Sequence, residues 1–323
     1  MSRTCKSPKA IVRAALRIGQ VLPVYSHRFS PQKFTQPQLF ACLVLKEVLK
    51  TDYRGLVAFL EDCPDLRAII GLASVPHFTT LHKASKRLLR LSVVQRLLDS
   101  TLQIVRPDRH VKLAAMDSTG LEAHHISHYF VSRRRSKQLA TRENTYYKRW
   151  PKLAILCDCP NHAILSVITA RGPGVDVDQF CRTLEPATRK VRIDVLLADA
   201  GYDSEANHRY ARDTHQIESI IPPTHGRPTR KVPSTPYRRR MRLHFRRTLY
   251  RQRWQAETVI SMLKRNYGSA LRARSYWSQC REMLLLVLTH NTAIILCPSG
   301  LFYRACATNF RGDCTASGWL DCV

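Results

Sequence analysis

Five short apolar runs between residues 111 and 221 set the tightest limit on how this chain folds. They cover residues 111–116, 152–157, 163–168, 193–198 and 217–221, and each is five or six residues long. Branched aliphatic side chains dominate them, as in strands buried on both faces. Helix-like stretches at 177–184 and 204–212 separate the later runs, and Asn161-His162 between the second and third reads as a hairpin turn. A hairpin followed by alternating helices and strands predicts an α/β domain: a mixed sheet flanked by helices.

The flanks have a different texture. Residues 1–105 show helical spacing and few strand signals. Leu39, Cys42, Leu43, Leu45 and Leu49 recur every three to four residues behind Thr35, and Pro37 suits a first turn. Leu56 to Leu60 continues as a second short helix. Beyond Pro76, a segment bearing Lys83, Lys86, Arg87 and Arg90 predicts a basic helix, so this all-α part reads as a helix-turn-helix-like DNA-binding domain. The catalytic domain is expected over 106–296. Residues 297–323 form a tail with Cys306, Cys314 and Cys322, no clear periodicity and no assignable role.

Charge narrows the partner. Lys and Arg number 52 against 24 Asp and Glu, a formal net charge of +28. Such self-repulsion points to a polyanion, and double-stranded DNA is the first choice. The apolar stretch from Met283 is broken by Thr289, His290 and Asn291, and no run reaches the ~20 residues that span a bilayer. The basic N-terminus lacks the apolar core of a secretory signal, so a cytoplasmic, nucleoid-associated protein is expected. From Arg227 to Arg253 eleven basic residues occur with no acid, including Arg238, Arg239 and Arg240, which predicts a phosphate-tracking loop at 223–247. Eleven dispersed cysteines, an odd number, read as reduced thiols serving as small hydrophobes.

The chemistry rests on carboxylates. Two apolar runs end in aspartate, Asp117 and Asp199. Strand ends that carry acids at the carboxyl edge of an α/β sheet form a site, and two adjacent carboxylates need a cation between them. Hard oxygen donors select Mg²⁺ or Mn²⁺. Taken singly, each Asp is equally a turn former or helix cap. Residues 249–265 read as one helix. At about 100° per residue, with Tyr250 at zero, Arg253, Glu257 and Lys264 fall within roughly 60° of it. Leu249, Ala256, Val259, Ile260 and Leu263 make the neighbouring apolar face. Glu257 is the one carboxylate on the polar face and would complete a three-carboxylate metal site.

The pattern Tyr250-x-x-Arg253-x-x-x-Glu257, then six residues, then Lys264, resembles the signature of one large branch of bacterial insertion-sequence transposases of the DDE type. Met116-Asp117-Ser-Thr and Asp199-Ala-Gly-Tyr-Asp203 are similar to the two aspartate motifs of the same group. They occur in family order, 82 and 58 residues apart, over about residues 111–291, which resembles the compact members. The resemblance implies an RNase H-like core in which Asp117, Asp199 and Glu257 are catalytic and hold two Mg²⁺ or Mn²⁺ ions. It implies a DNA transposase that cuts the ends of an insertion sequence and joins the 3′-OH to target DNA. Arg253 and Lys264 would hold phosphates, Tyr250 would contact one rather than act as nucleophile, and Trp254 would either stack on a flipped base or pack. Two element ends imply at least a homodimer at work. The alternatives are an RNase H-like metal-dependent nuclease without strand transfer and an inactive DNA-binding relative. His124, His125 and His128 suggest zinc, but no further ligand cluster accompanies them.

Overall fold

The computed structural model describes residues 5–123, 150–172, 174–223 and 232–296. The three histidines considered for zinc and the cysteine-bearing tail lie outside the described residues, as does part of the basic 223–247 segment.

Six helices come first: α1 (Pro8–Gly19), α2 (Gln36–Val48), α3 (Tyr53–Asp62), α4 (Pro64–Ile70), α5 (Phe78–Leu88) and α6 (Leu91–Val105). Thr35 caps α2 as its sequence suggested. Its hydroxyl accepts from the Gln38 amide at 3.3 Å, and the Gln38 side chain accepts from the Thr35 amide at 2.8 Å, so two otherwise orphaned donors are satisfied. All four strand runs that follow the first are realised, and so is the first. The strands are β1 (His110–Gly120), β2 (Glu122–Ala123), β3 (Pro151–Asp158) and β4 (Ile164–Arg171), then α7 (Phe180–Thr188) and β5 (Arg192–Ala198). Next come α8 (Glu205–Arg209), β6 (Glu218–Ile220), α9 (Pro236–Leu243), α10 (Arg247–Tyr250), α11 (Trp254–Tyr267), β7 (Ala270–Leu271) and α12 (Tyr276–Ile295).

The main sheet has the order β4-β3-β1-β5-β6. β4, β3 and β1 run antiparallel, whereas β5 and β6 run parallel to β1. The Asn161-His162 turn joins β3 to β4, with His162 left-handed at φ 59°. This is the mixed, helix-flanked sheet of RNase H-like proteins, preceded by helices.

Alternation along the strands sends side chains into two cores. Ala114, Met116, Leu196 and Ala198 face one core with Phe180, Leu184 and Tyr202. Ala115 and Leu197 face the other, which holds Ala256, Val259 and Leu263 of α11 and most of α12. That second core continues without a break into α1, α2, α5 and α6, so the N-terminal helices and the sheet share one apolar interior.

α12 is the apolar stretch that Thr289, His290 and Asn291 interrupt. It is buried almost all round between the N-terminal helices and the sheet, which is why it is apolar on every face. Thr289, Asn291 and Thr292 find hydrogen-bond partners inside the protein. Asn291 accepts from the Ile164 amide at 2.9 Å, donates to the Ile164 carbonyl at 2.8 Å, and donates to Thr101 at 3.1 Å. No helix among the described residues is long and apolar enough to cross a membrane. The seven described cysteines are all free thiols, and burial pushes Cys42 and Cys159 up to about 12, as inert core sulfurs.

Two sequence expectations need correction. Asp117 does not end its strand: β1 runs on to Gly120, because pairing with β3 continues past it (Asp117↔Ile155 to Gly120↔Lys152). What stops at Asp117 is the parallel pairing with β5, whose last pair is Met116↔Ala198. The expected helix over 249–265 is also not one regular α-helix. α10 and α11 are linked by a tightened turn at Arg251–Arg253, with the backbone right-handed helical throughout. Its packed face is as expected, with Ala256, Val259 and Leu263 buried. It stops at Gly268, whose φ of 110° other residues rarely adopt.

Candidate active site

The register places the two aspartates. Met116 pairs with Ala198, so Asp117 and Asp199 are the next residues on neighbouring parallel strands. Both have the same parity as Ala115 and Leu197. Continued alternation therefore turns them toward the face on which α11 packs. α11 contributes Glu257 in its first turn. Asp117 in β1, Asp199 just past β5 and Glu257 in α11 thus lie at the same end of the sheet.

Arg253 stands among them. Its guanidinium pairs with Glu257 and lies 3.7 Å from Asp117 Oδ2. The Arg253–Glu257 pair is an i,i+4 contact along the helix; the link to Asp117 is tertiary and makes Arg253 a bridge between two carboxylates. Asp117 is mostly buried, whereas Glu257 and Asp199 are exposed. The Asp199 carboxylate accepts from the Ala200 amide at 2.7 Å and caps a short turn, so it fills its capping role as well.

Burial, first, pushes the Asp117 carboxyl up to about 6, and the negative charges of Asp199 and Glu257 add to this. The Ser118 amide, 2.8 Å from Asp117 Oδ1, and the Arg253 charge oppose it. Burial also raises Tyr250, with Arg253 pulling the other way and Asp199 and Asp117 adding to the rise, so all five groups share one electrostatic neighbourhood. The shift has a stability consequence. A carboxyl with a raised folded-state pKa binds its proton more tightly folded than unfolded. Its contribution to stability is whole below about pH 4 and is lost as pH rises through 6. Asp117→Asn should therefore stabilise the metal-free protein at pH 8 by about 2–3 kcal/mol. The gain should vanish below the normal Asp range. Thermal unfolding in a chelating buffer at both pH values checks this; a variant less stable than wild type at pH 8 contradicts it.

Hard oxygen donors of this kind suit a divalent cation. Among the described residues, however, no three His, Cys, Asp or Glu side chains converge closely enough to hold an ion as they stand. Arg253 supplies the positive charge between Asp117 and Glu257 instead. The set fits a cation in chemistry and charge, and Arg253 has to turn away for Asp117 and Glu257 to share one.

Lys264 is half-buried further along α11 and pairs with none of the described carboxylates. Trp254 is 50% exposed, so its indole is not a core group. The three arginines of the basic segment separate. Residues 236–243 form α9 rather than a loop, since Pro236 suits a first turn and Glu205 accepts from the Tyr237 and Arg238 amides at 3.2 and 3.1 Å. Arg238 turns inward and holds the buried Asp203 through contacts of 2.7 and 3.0 Å, whereas Arg239 and Arg240 are exposed. Asp203 therefore anchors α9, and Ser204 is the residue that caps α8.

Sequence reasoning missed Asp176. Ser118, one residue past Asp117 and turned to the opposite face, donates to Asp176 Oδ1 at 2.7 Å. The largely buried Lys152 Nζ lies 2.6 Å from the same oxygen and also donates to the Gly174 carbonyl at 3.0 Å. A side chain on Gly201, in the second aspartate motif, would come within 3.4 Å of Asp176. Asp176 thus ties β1, next to Asp117, to β3, and packs close to Gly201. The one signal was a lysine opening an otherwise apolar strand, which needs a buried partner.

Residues 112–292, more than half of the chain, match the family described as transposase DDE domain, and the chain belongs to that family. It is similar over 94% of its length to 73% of a chain in a cryo-EM structure of a piggyBac transposase synaptic complex with hairpin DNA, at a TM-score of 0.46 and 11% identity.

Proposed function

We propose that this transposase cuts DNA at the ends of an insertion sequence and joins the freed 3′-OH to target DNA. Divalent metal ions held by Asp117, Asp199 and Glu257 would serve both steps. What supports this reading is that the charges of Asp199 and Glu257 both act on the mostly buried Asp117, with Arg253 bridging Asp117 and Glu257. When bound, two Mg²⁺ or Mn²⁺ ions would supply an activated nucleophile and neutralise charge on the leaving oxygen. The protein's own groups then have defined work. Arg253 leaves the carboxylates and takes a phosphate oxygen, for which its planar fork is suited. Lys264 adds a point charge two turns along the same helix. Tyr250 contacts the backbone, and the half-exposed Trp254 is placed to stack on a base. Arg239 and Arg240 track phosphates outside the site. The basic α5 belongs to an N-terminal DNA-binding region, and two copies of the chain hold the two ends.

The test is Mg²⁺-dependent nicking of DNA carrying the element's ends, followed by joining to a second DNA. Joined products distinguish a transposase from a nuclease of the same fold. Nicking without joining would leave the nuclease reading, and no nicking with intact DNA binding would leave the inactive one.

A further inference from the structure

We propose that Tyr276 and Trp277, with Arg171, Arg182, Arg274 and Arg281, form a second DNA surface that takes unpaired bases next to the cut site. The inference rests on DNA being the substrate and takes its place next to the cut site from the proposed carboxylates, whereas its binding test needs neither. Trp277 is 70% exposed, an unusual state for a large apolar ring. Its neighbour Tyr276 packs against it at 5.3 Å between ring centres, and the Arg171 guanidinium lies 3.8 Å over the Tyr276 ring. Arg171, Arg182 and Arg274 are exposed. None of the four arginines pairs with a carboxylate among the described residues, whereas Arg106, Arg109, Arg238 and Arg246 each do. The positive field is strong enough to act on a neighbour: burial first, then Lys86 and Arg281, hold His82 below its usual range. Arg274, Arg281 and His82 also line a cavity of about 400 Å³, together with Glu47, Asp52 and Glu282.

The place fits. Arg171 ends β4 opposite Pro151, and Lys152 lies opposite Gly120, so this is the sheet end toward which β1 carries Asp117. α11 runs on from Glu257 to Tyr267, about 15 Å at ~1.5 Å per residue. The chain then reaches Tyr276 through β7, which pairs with β2 just beyond β1. An exposed indole beside guanidinium groups that no carboxylate neutralises is the chemistry of a stacking platform with phosphate contacts, and a duplex interior offers no free base face to it.

The experiment compares binding, without metal, to a mixed-sequence duplex with and without a single-stranded oligo-dT overhang. Trp277→Ala should weaken binding to the overhang DNA about tenfold, the scale of one lost base stack. Duplex binding should change less than about twofold, and Trp277→Phe should keep most of the affinity for the overhang. Arg274→Ala should weaken overhang binding and flatten its salt dependence. Wild-type affinity of Trp277→Ala for the overhang DNA overturns the proposal, and so does an equal loss on both DNAs. Loss of cutting in carboxylate variants that still bind the overhang would bear on the catalytic reading alone.

Discussion

Strand cutting should fall to about one-thousandth of the wild-type rate or lower when Asp117, Asp199 or Glu257 is replaced by alanine, with DNA binding retained. A thousandfold loss is about 4 kcal/mol of barrier, the several kcal/mol expected when metal-borne charge stabilisation is withdrawn. Binding should persist because the protein's +28 charge lies mostly elsewhere. The three variants should also resemble one another, since each removes part of a single unit, and pairs of them should do no more harm than one. Folding is not the confounder it would be for core residues. Glu257 and Asp199 are exposed, and loss of the Asp117 charge relieves burial and repulsion. A gel assay of nicking, run beside a binding assay and a thermal melt, separates the cases. Full activity in Glu257→Ala would remove Glu257 from the site.

The second large effect concerns stability. Asn291→Ala should cost about 3–5 kcal/mol, because the Ile164 amide and carbonyl lose their side-chain partner in a buried site. For a chain of this size that corresponds to a fall in Tm on the order of 10 °C. Asn291 is nearly fully buried and acts on the edge strand β4 as a neighbouring strand would, while also holding Thr101 of α6. Sheet, α12 and N-terminal helices meet at this one amide. A drop of less than about 2 °C would show that water replaces it at little cost.

Much of this architecture was legible because strands buried on both faces advertise themselves. All five apolar runs became strands, and the periodicity of α11 fixed which side packs. The candidate site was read for a different reason: two apolar runs close on an aspartate, and one carboxylate lies on the polar face of α11. What was not legible depended on strand direction. Asp158 also closes an apolar run, but β3 is antiparallel to β1, so it emerges at the other end of the sheet and is held by Arg106 at 2.7 Å. An aspartate that closes an apolar run therefore lies at the candidate site's end of the sheet only on β1 and strands parallel to it. Arg238 was misread because a run of arginines looks uniformly solvated until a buried acid, Asp203, claims one of them. Asp176 was missed because it lies in a loop and its partners, Ser118 and Lys152, come from two strands far away in sequence.

The central claim is that these carboxylates bind metal, and a change of donor atom tests it most directly. Asp199→Cys replaces a hard oxygen with a softer thiolate at one ligand position. Nicking of element-end DNA should be lost with Mg²⁺ and recovered, at least in part, with Mn²⁺, which tolerates sulfur better. Undiminished nicking with Mg²⁺, or no recovery with Mn²⁺ by a folded, DNA-binding variant, would contradict that claim.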